Sequence, residues 1–119
     1  MTLNVNVYQH DEAGEMIFHD TEDHADTMAG FEVCRTSLYG SELAHSLGLV
    51  LLPSLAGANI YASGEEVMQL KAEVEVIIGA ADAFAGVAGL EADYVRHRAG
   101  NIRRACLRAL EAQRSVMVW

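Results

Sequence analysis

The most regular pattern of apolar positions lies in the segment 63–113, which predicts two consecutive helices. In its first half, apolar side chains recur at alternating spacings of three and four and so line one side of a helix. These side chains are Val67, Leu70, Val74, Ile77, Ala81 and Phe84. Ser63 and Glu66 have the spacing of a capping box, which predicts that the helix begins directly after Ser63. Gly86 and Gly89 mark its expected end.

The charged residues of this first helix fall mostly off the apolar stripe, so we expect them in water. They are Glu65, Glu66, Glu73 and Asp82.

A second helix is predicted from about Glu91 to Gln113. Its apolar side chains share one arc of a helical wheel: Val95, Ala99, Ile102, Cys106 and Ala109. The short Gly-containing link predicts that the two helices pack as an antiparallel pair. Gly100 is a poor helix former, so either a neighbour packs closely there or the helix is locally soft.

The pattern of the N-terminal third predicts β-strands. Leu3, Val5 and Val7 alternate with polar residues, which is typical of a half-buried strand, and Met16 begins the predicted return strand (16–20) of a hairpin. A two-residue loop at Ala13-Gly14 would place Met16 and Phe18 on the core face with Val5 and Val7. One additional loop residue would reverse that assignment.

The middle of the chain alternates between turns and short elements. Residues 21–29 are acidic and predict a mobile loop, and 30–39 predict a third strand. Ser41 is placed to cap a short helix that ends at Gly48. Residues 49–55 are apolar but broken by Pro53, so we expect a buried connector there.

A brief fourth strand is predicted at 59–62 and a last one at 115–119. The order β-β-β-α-β-α-α-β predicts an α+β fold in a single domain, 1–119. Its mostly antiparallel sheet of four to five strands packs against the C-terminal antiparallel helix pair.

The net charge of −9 is unevenly distributed along the 119 residues. Up to Glu42 there is one cation, Arg35, against nine carboxylates: Asp11, Glu12, Glu15, Asp20, Glu22, Asp23, Asp26, Glu32 and Glu42. From Arg96 onward six Arg face one carboxylate, Glu111. The acidic balance makes nucleic-acid binding unlikely. We expect the Arg-rich helix to neutralise the acidic half of the same molecule.

The two cysteines, Cys34 and Cys106, form no C-x-x-C pair. Met1 leads directly into a polar alternating strand rather than a signal peptide, and no run is long and apolar enough to cross a membrane. These features predict a cytoplasmic protein.

The densest polar cluster, 19–24, could hold a divalent metal through imidazole and carboxylate groups. His10, His19 and His24 are the weak candidates for ligands. The segment lacks the rigid support that a metal site needs, so a solvated acidic loop is the favoured interpretation. We expect no metal and no cofactor.

Tyr94, Arg98 and Asn101 form a polar stripe on the second helix, with His97 beside it. These residue types could bind an anionic small molecule in a pocket between helix and sheet. The alternative is a structural hydrogen-bond network that ties the helix to the sheet. The sequence contains neither a G-x-S-x-G elbow nor a phosphate-binding loop, so enzymatic activity is not favoured.

The favoured function is that of a protein–protein interaction module, comparable in physical type to small bacterial inhibitors and immunity proteins. It would dock on a basic partner through Asp20, Glu22, Asp23 and Asp26. The alternative is an anionic-ligand binder or small enzyme that uses the Tyr94, Arg98 and Asn101 stripe. A homodimer is also expected, through the strand ending at Trp119 or the apolar patch 49–55.

Overall fold

The computed structural model describes residues 2–19 and 27–119. Within them it contains five strands: β1 (Thr2–His10), β2 (Met16–Phe18), β3 (Met28–Phe31), β4 (Ile60–Ala62) and β5 (Ser115–Val118). Its α-helices are α1 (Glu42–Ser46), α2 (Glu65–Gly79), α3 (Ala81–Ala88) and α4 (Ala92–Ala112). The predicted α+β fold, with a mostly antiparallel sheet and a C-terminal helical layer, is confirmed.

The sheet is built around β1, and every pairing in it is antiparallel. On one side β1 pairs with β5, which in turn pairs with β4. On the other side β1 is shared, because β3 pairs with its first residues and β2 with its last. Leu3, Val5 and Val7 are buried, as their alternation predicts, and α4 packs against β1, β3 and β5.

The helix pair is formed by α2 and α4, and the apolar sides of both are buried as predicted. The full set of predicted stripe residues that are at most 2% exposed is Val67, Leu70, Val74, Ile77, Ala81, Phe84, Val95, Ala99, Ile102, Cys106 and Ala109. Gly100 is buried, and a Cβ there would lie 3.3 Å from the Arg104 guanidinium. A side chain at position 100 would therefore displace the end of the Arg104 side chain, which belongs to the same helix.

The first predicted helix is divided in two, which corrects the sequence prediction. Helix α2 ends at Gly79, Ala80 has φ −115° and ψ 29°, and α3 begins at Ala81. Gly79 is a poor helix former, so an interruption costs little there. The buried stripe continues across the break through Ala81 and Phe84. Gly89, in the left-handed conformation with φ 69°, ends α3.

The predicted third strand is wrong beyond Phe31. After β3 the chain forms a π-helical turn, Arg35–Tyr39. The turn buries Tyr39, whose hydroxyl donates to the Ala29 carbonyl at 2.7 Å. Gly40 permits the turn to close, because a Cβ there would lie 2.5 Å from the Arg35 carbonyl oxygen. Tertiary packing of Tyr39 thus overrides the strand propensity of the segment.

The hairpin between β1 and β2 has a three-residue loop, 12–14, rather than the predicted two-residue loop. The Asp11 carboxylate accepts from the amide of Glu15 at 2.8 Å, and the Asp11 amide donates to the Glu15 carbonyl. Gly14 takes the positive φ of 83° that such a loop requires.

The longer loop reverses the register, which corrects the assignment of the return strand. His10 lies opposite Met16 and Tyr8 opposite Phe18. Met16 and Phe18 are therefore on the face of the sheet away from the helices, and not with the core residue Val7.

One of the two predicted helix caps is present in full, and the other in part. Ser41 Oγ accepts from the Ala44 amide at 3.3 Å and begins α1. The Glu66 carboxylate accepts from the Ser63 amide at 3.5 Å, which is one half of the predicted capping box. The Ser63 hydroxyl does not cap α2 and instead bonds to the hydroxyl of Ser115 at 2.8 Å.

Glu73 is buried rather than in water, which corrects another prediction. It is 7% exposed, and its two carboxylate oxygens accept the backbone amides of Val50, Leu51 and Leu52 at 3.0–3.1 Å. These amides begin a 3₁₀ helix, Leu52–Ala56, in the segment that was predicted as a buried connector. Glu73 therefore caps that helix from another element.

Both predicted dimer surfaces are occupied within the molecule. Strand β5 lies between β1 and β4, so it is not an edge strand. The apolar patch 49–55 is largely buried, with Leu52 and Leu55 inaccessible and Val50 exposed. In the described part of the chain, no helix combines the length and apolar character of a membrane span.

Candidate functional site

The predicted ligand stripe lies on the face of α4 that contacts β3. Asn101 is fully buried, and its Nδ2 donates to the Met28 carbonyl at 2.8 Å. The Arg104 guanidinium donates to Asn101 Oδ1. Tyr94 accepts the Phe31 amide at 3.1 Å, and the two rings stack with centroids 5.7 Å apart. The polar groups of Asn101 and Tyr94 are therefore engaged in holding β3 on α4.

Arg98 differs from the other members of the stripe. Its guanidinium carbon lies 5.3 Å from the centre of the Tyr94 ring, within the range of a cation–π contact. Its Nε and Nη1 atoms are buried and have no hydrogen-bond partner among the described residues. Burial of an unpaired cationic group is costly. His97, which was predicted beside the stripe, is exposed.

The titratable groups described near Arg98, namely Tyr39, Tyr94 and Cys34, are neutral at pH 7. Burial raises the pKa of Tyr39 well above its usual value, and burial together with the nearby Cys34 raises the pKa of Tyr94. Burial also raises the pKa of the Cys34 thiol. A thiol with a raised pKa is a poor nucleophile. This cluster could attract an anion, but it contains no activated nucleophile or base.

Two arginines of α4 form ion pairs with carboxylates of the helical layer. Arg96 pairs with Asp93 at 2.9 Å and with Asp82 at 3.5 Å. Arg103 Nε lies 3.5 Å from Glu75 on α2. Within the described residues, the expected neutralisation of the N-terminal carboxylates by α4 is therefore not observed.

Most of the described N-terminal carboxylates form no ion pair with described residues. The described part of the chain contains five of the nine: Asp11, Glu12, Glu15, Glu32 and Glu42. Of these only Glu32 forms an ion pair, with Arg35 at 2.5 Å. The remaining four of the nine, Asp20, Glu22, Asp23 and Asp26, are the predicted partner-binding residues and lie outside the described residues. So does His24, a predicted metal candidate.

The acidic segment 20–26 is bounded by two residues that are held on β1. The His19 amide donates to the Val7 carbonyl at 2.7 Å, and the Val5 amide donates to the Thr27 carbonyl at 2.7 Å. His19 and Thr27 therefore lie at the same edge of β1, between β2 and β3.

An exposed aromatic pair lies on the sheet face away from the helices, and sequence reasoning missed it. Phe18 and Trp119 are 46% and 44% exposed, and their rings stack with centroids 6.5 Å apart. The Trp119 indole N–H donates to Asn6 Oδ1 at 2.5 Å, which fixes the ring. The pair was missed because the two-residue hairpin loop placed Phe18 on the core face.

The histidines do not assemble a metal site in the described part of the chain. His10 packs edge-on against Tyr8, with ring centroids 5.7 Å apart. His19 Nε2 is buried without a hydrogen-bond partner among those residues. No group of three or more metal-ligating side chains occurs in 2–19 and 27–119.

Two cavities are lined by described residues. One, of about 390 Å³, lies between the start of α2 and the end of α4, beside Met68 and Leu110. The other, of about 350 Å³, is lined by Thr2, Asn4, Glu32, Arg35, Asn59 and Trp119. Neither of the two includes a member of the Tyr94, Arg98 and Asn101 stripe.

This chain matches no protein-family model, no curated protein and no solved structure, so its function has to be argued from its own residues.

Proposed function

We propose that this protein is a non-enzymatic interaction module that docks its acidic N-terminal half on a partner protein with a basic surface. The observation that carries the proposal is the distribution of ion pairs. Arg96 and Arg103 pair with carboxylates of the helical layer, whereas four of the five described N-terminal carboxylates form no ion pair with described residues. The charge of these four carboxylates is therefore available to steer a basic partner.

The position of the exposed aromatic pair favours the same docking site. Phe18 lies two residues before Asp20, the first predicted contact residue, and it stacks on Trp119. Buried aromatic anchors supply much of the binding energy of protein interfaces, whereas rim charges mainly accelerate the encounter. We assign steering to the carboxylates of 20–26 and the anchoring contacts to Phe18 and Trp119.

We place this interaction in the cytoplasm. Cys34 and Cys106 are both free and buried, which suits a reducing compartment.

Self-association remains part of the proposal, but it needs a different surface from the two predicted ones. Strand β4 pairs with a neighbour on one side only, so its outer edge offers the route to a second copy. A molar mass of one chain at micromolar concentration would reject the homodimer.

The docking proposal is tested by reversing the four carboxylates Asp20, Glu22, Asp23 and Asp26 to Lys. Partner capture from the native cytoplasm should be lost, while the melting temperature stays nearly unchanged. A matched control variant carries the same charge change at four exposed sites elsewhere, namely Glu65, Glu66, Glu91 and Glu111. The control should retain the partner. Equal loss in both variants would reject a localised docking site, and loss of folding would make the segment structural.

A second candidate function is the binding of an anionic small molecule at Arg98. The observation that favours it is the pair of buried guanidinium nitrogens without a hydrogen-bond partner among the described residues. An oxyanion would accept from either of these donors, since hydrogen bonds from a guanidinium to a carboxylate or phosphate are strong. The Tyr94 hydroxyl would also donate to the bound anion, whereas the Tyr39 hydroxyl already donates to the Ala29 carbonyl.

Inorganic phosphate is the simplest probe for this candidate. Backbone amide NMR shifts of α4 should saturate with phosphate in the natural protein and not in Arg98→Met, with His97→Ala as the exposed control. Increased stability of Arg98→Met, together with no phosphate response in the natural protein, would mean that the buried guanidinium destabilises the fold and binds no anion.

A further inference from the structure

We propose that the 350 Å³ cavity beside Trp119 binds a neutral polyhydroxylated molecule of the size of a pyranose sugar. This inference does not depend on the docking proposal. The cavity is lined by Thr2 and Asn4 of β1, Glu32 and Arg35 of the π-helical region, Asn59 before β4, and Trp119 after β5. Its volume is at the lower end of the range of small-molecule sites, which is roughly 300–1,000 Å³.

Trp119 supplies a rigid aromatic wall. Its indole N–H donates to Asn6, and its ring stacks on Phe18, so the ring orientation is fixed before any ligand arrives. Phe18 lies opposite Tyr8, whereas the cavity residue Asn4 is paired with Trp119 itself. Phe18 and the cavity residues other than Trp119 are therefore on opposite sides of Asn6 along β1, and Trp119 lies between them. The electron-rich face of an indole attracts the C–H groups of a sugar ring.

The polar lining offers both donors and acceptors that are not already used. The side chains of Thr2 and Asn4 make no hydrogen bond to described residues. Asn59 Oδ1 accepts from Arg35 at 2.7 Å, which leaves its NH₂ group to donate. Glu32 uses Oε1 for Arg35, which leaves Oε2 to accept. Vicinal hydroxyl groups need this mixture, because each hydroxyl both donates and accepts.

The charges of the lining select against ionic ligands. Glu32 and Arg35 neutralise one another at 2.5 Å. Arg35 also donates to the carbonyls of Leu55 and Ala58 and to Asn59. With Glu32, these contacts use four of the five N–H groups of the guanidinium. The single remaining N–H group cannot form a bidentate hydrogen bond to a phosphate or carboxylate, so the site suits a neutral ligand.

The chain has a single tryptophan, so its fluorescence reports directly on this cavity. We would titrate the purified protein with D-glucose, D-galactose and N-acetyl-D-glucosamine. At least one sugar should change Trp119 emission saturably, with a Kd below roughly 10 mM. Inorganic phosphate and free lysine, tested as anionic and cationic probes, should not compete with it.

Asn4→Ala should weaken that binding at least about tenfold, because it removes polar groups that contact the ligand. Tyr61→Ala is the matched control, since Tyr61 is an exposed aromatic residue of the same sheet face outside the cavity. The Kd of the Tyr61→Ala variant for the same sugar should be unchanged. If Asn4→Ala does not fold, Thr2→Val replaces it. The proposal is overturned by no saturable change with any of the sugars, by an unchanged Kd in the cavity variant, or by preference for phosphate or lysine. Partner capture plays no part in these measurements, so their failure is separable from failure of docking.

Discussion

The carboxylate of Glu73 on α2 accepts the backbone amide of Leu52 at 3.0 Å, although 21 residues separate the two in sequence. The same carboxylate accepts the amides of Val50 and Leu51, so it caps the 3₁₀ helix Leu52–Ala56 at its positive end. Arg35 donates to carbonyls at the other end of this helix and just beyond it. A carboxylate thus lies at the amino end of this helix and a guanidinium at its carboxyl end, which is the arrangement that the helix dipole favours.

Replacement of Glu73 by Gln is expected to destabilise the protein by about 2–4 kcal/mol. The amide side chain has one acceptor oxygen in place of two, so at least one buried backbone N–H loses its partner. Urea denaturation monitored by circular dichroism measures the change. Glu65→Gln, an exposed acid in the first turn of the same helix, should cost less than about 1 kcal/mol. Similar losses in the two variants would contradict the capping role.

Replacement of Arg35 by Lys should also destabilise the protein, by about 1–3 kcal/mol. A lysine ammonium is a point charge and cannot reach the Glu32 carboxylate, the connector carbonyls and Asn59 together. The free energy of unfolding from urea titrations measures the loss. Arg96→Lys is the control, since its ion pairs are exposed and should change stability by less than about 1 kcal/mol. An Arg35→Lys variant as stable as the control would show that the positive charge alone is sufficient.

The sequence predicts elements well where a local pattern decides the structure. The pattern predicts a helix over 91–113, and α4 spans Ala92–Ala112, because its apolar arc repeats over about four turns. The β1 alternation was equally clear. Glu73 shows the limit of such reasoning, because its partners come from the segment 50–52 and leave no periodic signal around residue 73.

The register of the β1–β2 hairpin shows a second limit. It depends on whether two or three residues form the loop, and both counts fit the letters Asp-Glu-Ala-Gly-Glu. The side chain of Asp11 decides the matter by accepting the amides of Ala13 and Glu15. That single residue moves Phe18 from the predicted core face to the exposed face, where it stacks on Trp119.

The cavity beside Trp119 could not be predicted from the sequence at all. Its wall joins Thr2 of β1 to Trp119, which follows the neighbouring strand β5, so it brings together the two ends of the sequence. The stripe on α4 was predictable as a set of residues sharing one face. The contacts that Asn101 and Tyr94 make depend on where β3 lies, and the sequence placed that strand wrongly.

Native Cys34 and Cys106 should resist alkylation. Burial raises the pKa of both thiols, and that of Cys106 to about 12. At pH 8 roughly one Cys106 side chain in ten thousand is then a thiolate, and neither thiol is accessible. Mass spectrometry after iodoacetamide treatment should find both unmodified in the native protein and modified in urea. Rapid native labelling of either cysteine would show that its surroundings open without global unfolding.

Glu75 should make stability depend on pH in the acid range. Its hydrogen bond with Lys71, at 2.8 Å, is the main cause that lowers the pKa of this carboxyl below 4.5, with Arg103 contributing. Below pH 4.5 the unfolded chain takes up the proton first, while the folded carboxylate stays ionised. The stability that the ion pair contributes is therefore present above pH 4.5 and is lost as the pH falls through the folded pKa.

Glu75→Gln isolates this contribution. In urea titrations between pH 6 and pH 3, chosen to bracket the usual carboxyl range, the difference in unfolding free energy between natural protein and variant should be constant at the upper end. This difference in unfolding free energy should become smaller towards pH 3. Lys71→Met should reduce the same difference, because it removes the main partner. High salt should also reduce it, since Glu75 is exposed and exposed pairs are screened. A difference that does not vary with pH would mean that Glu75 acts through packing, and not through its charge.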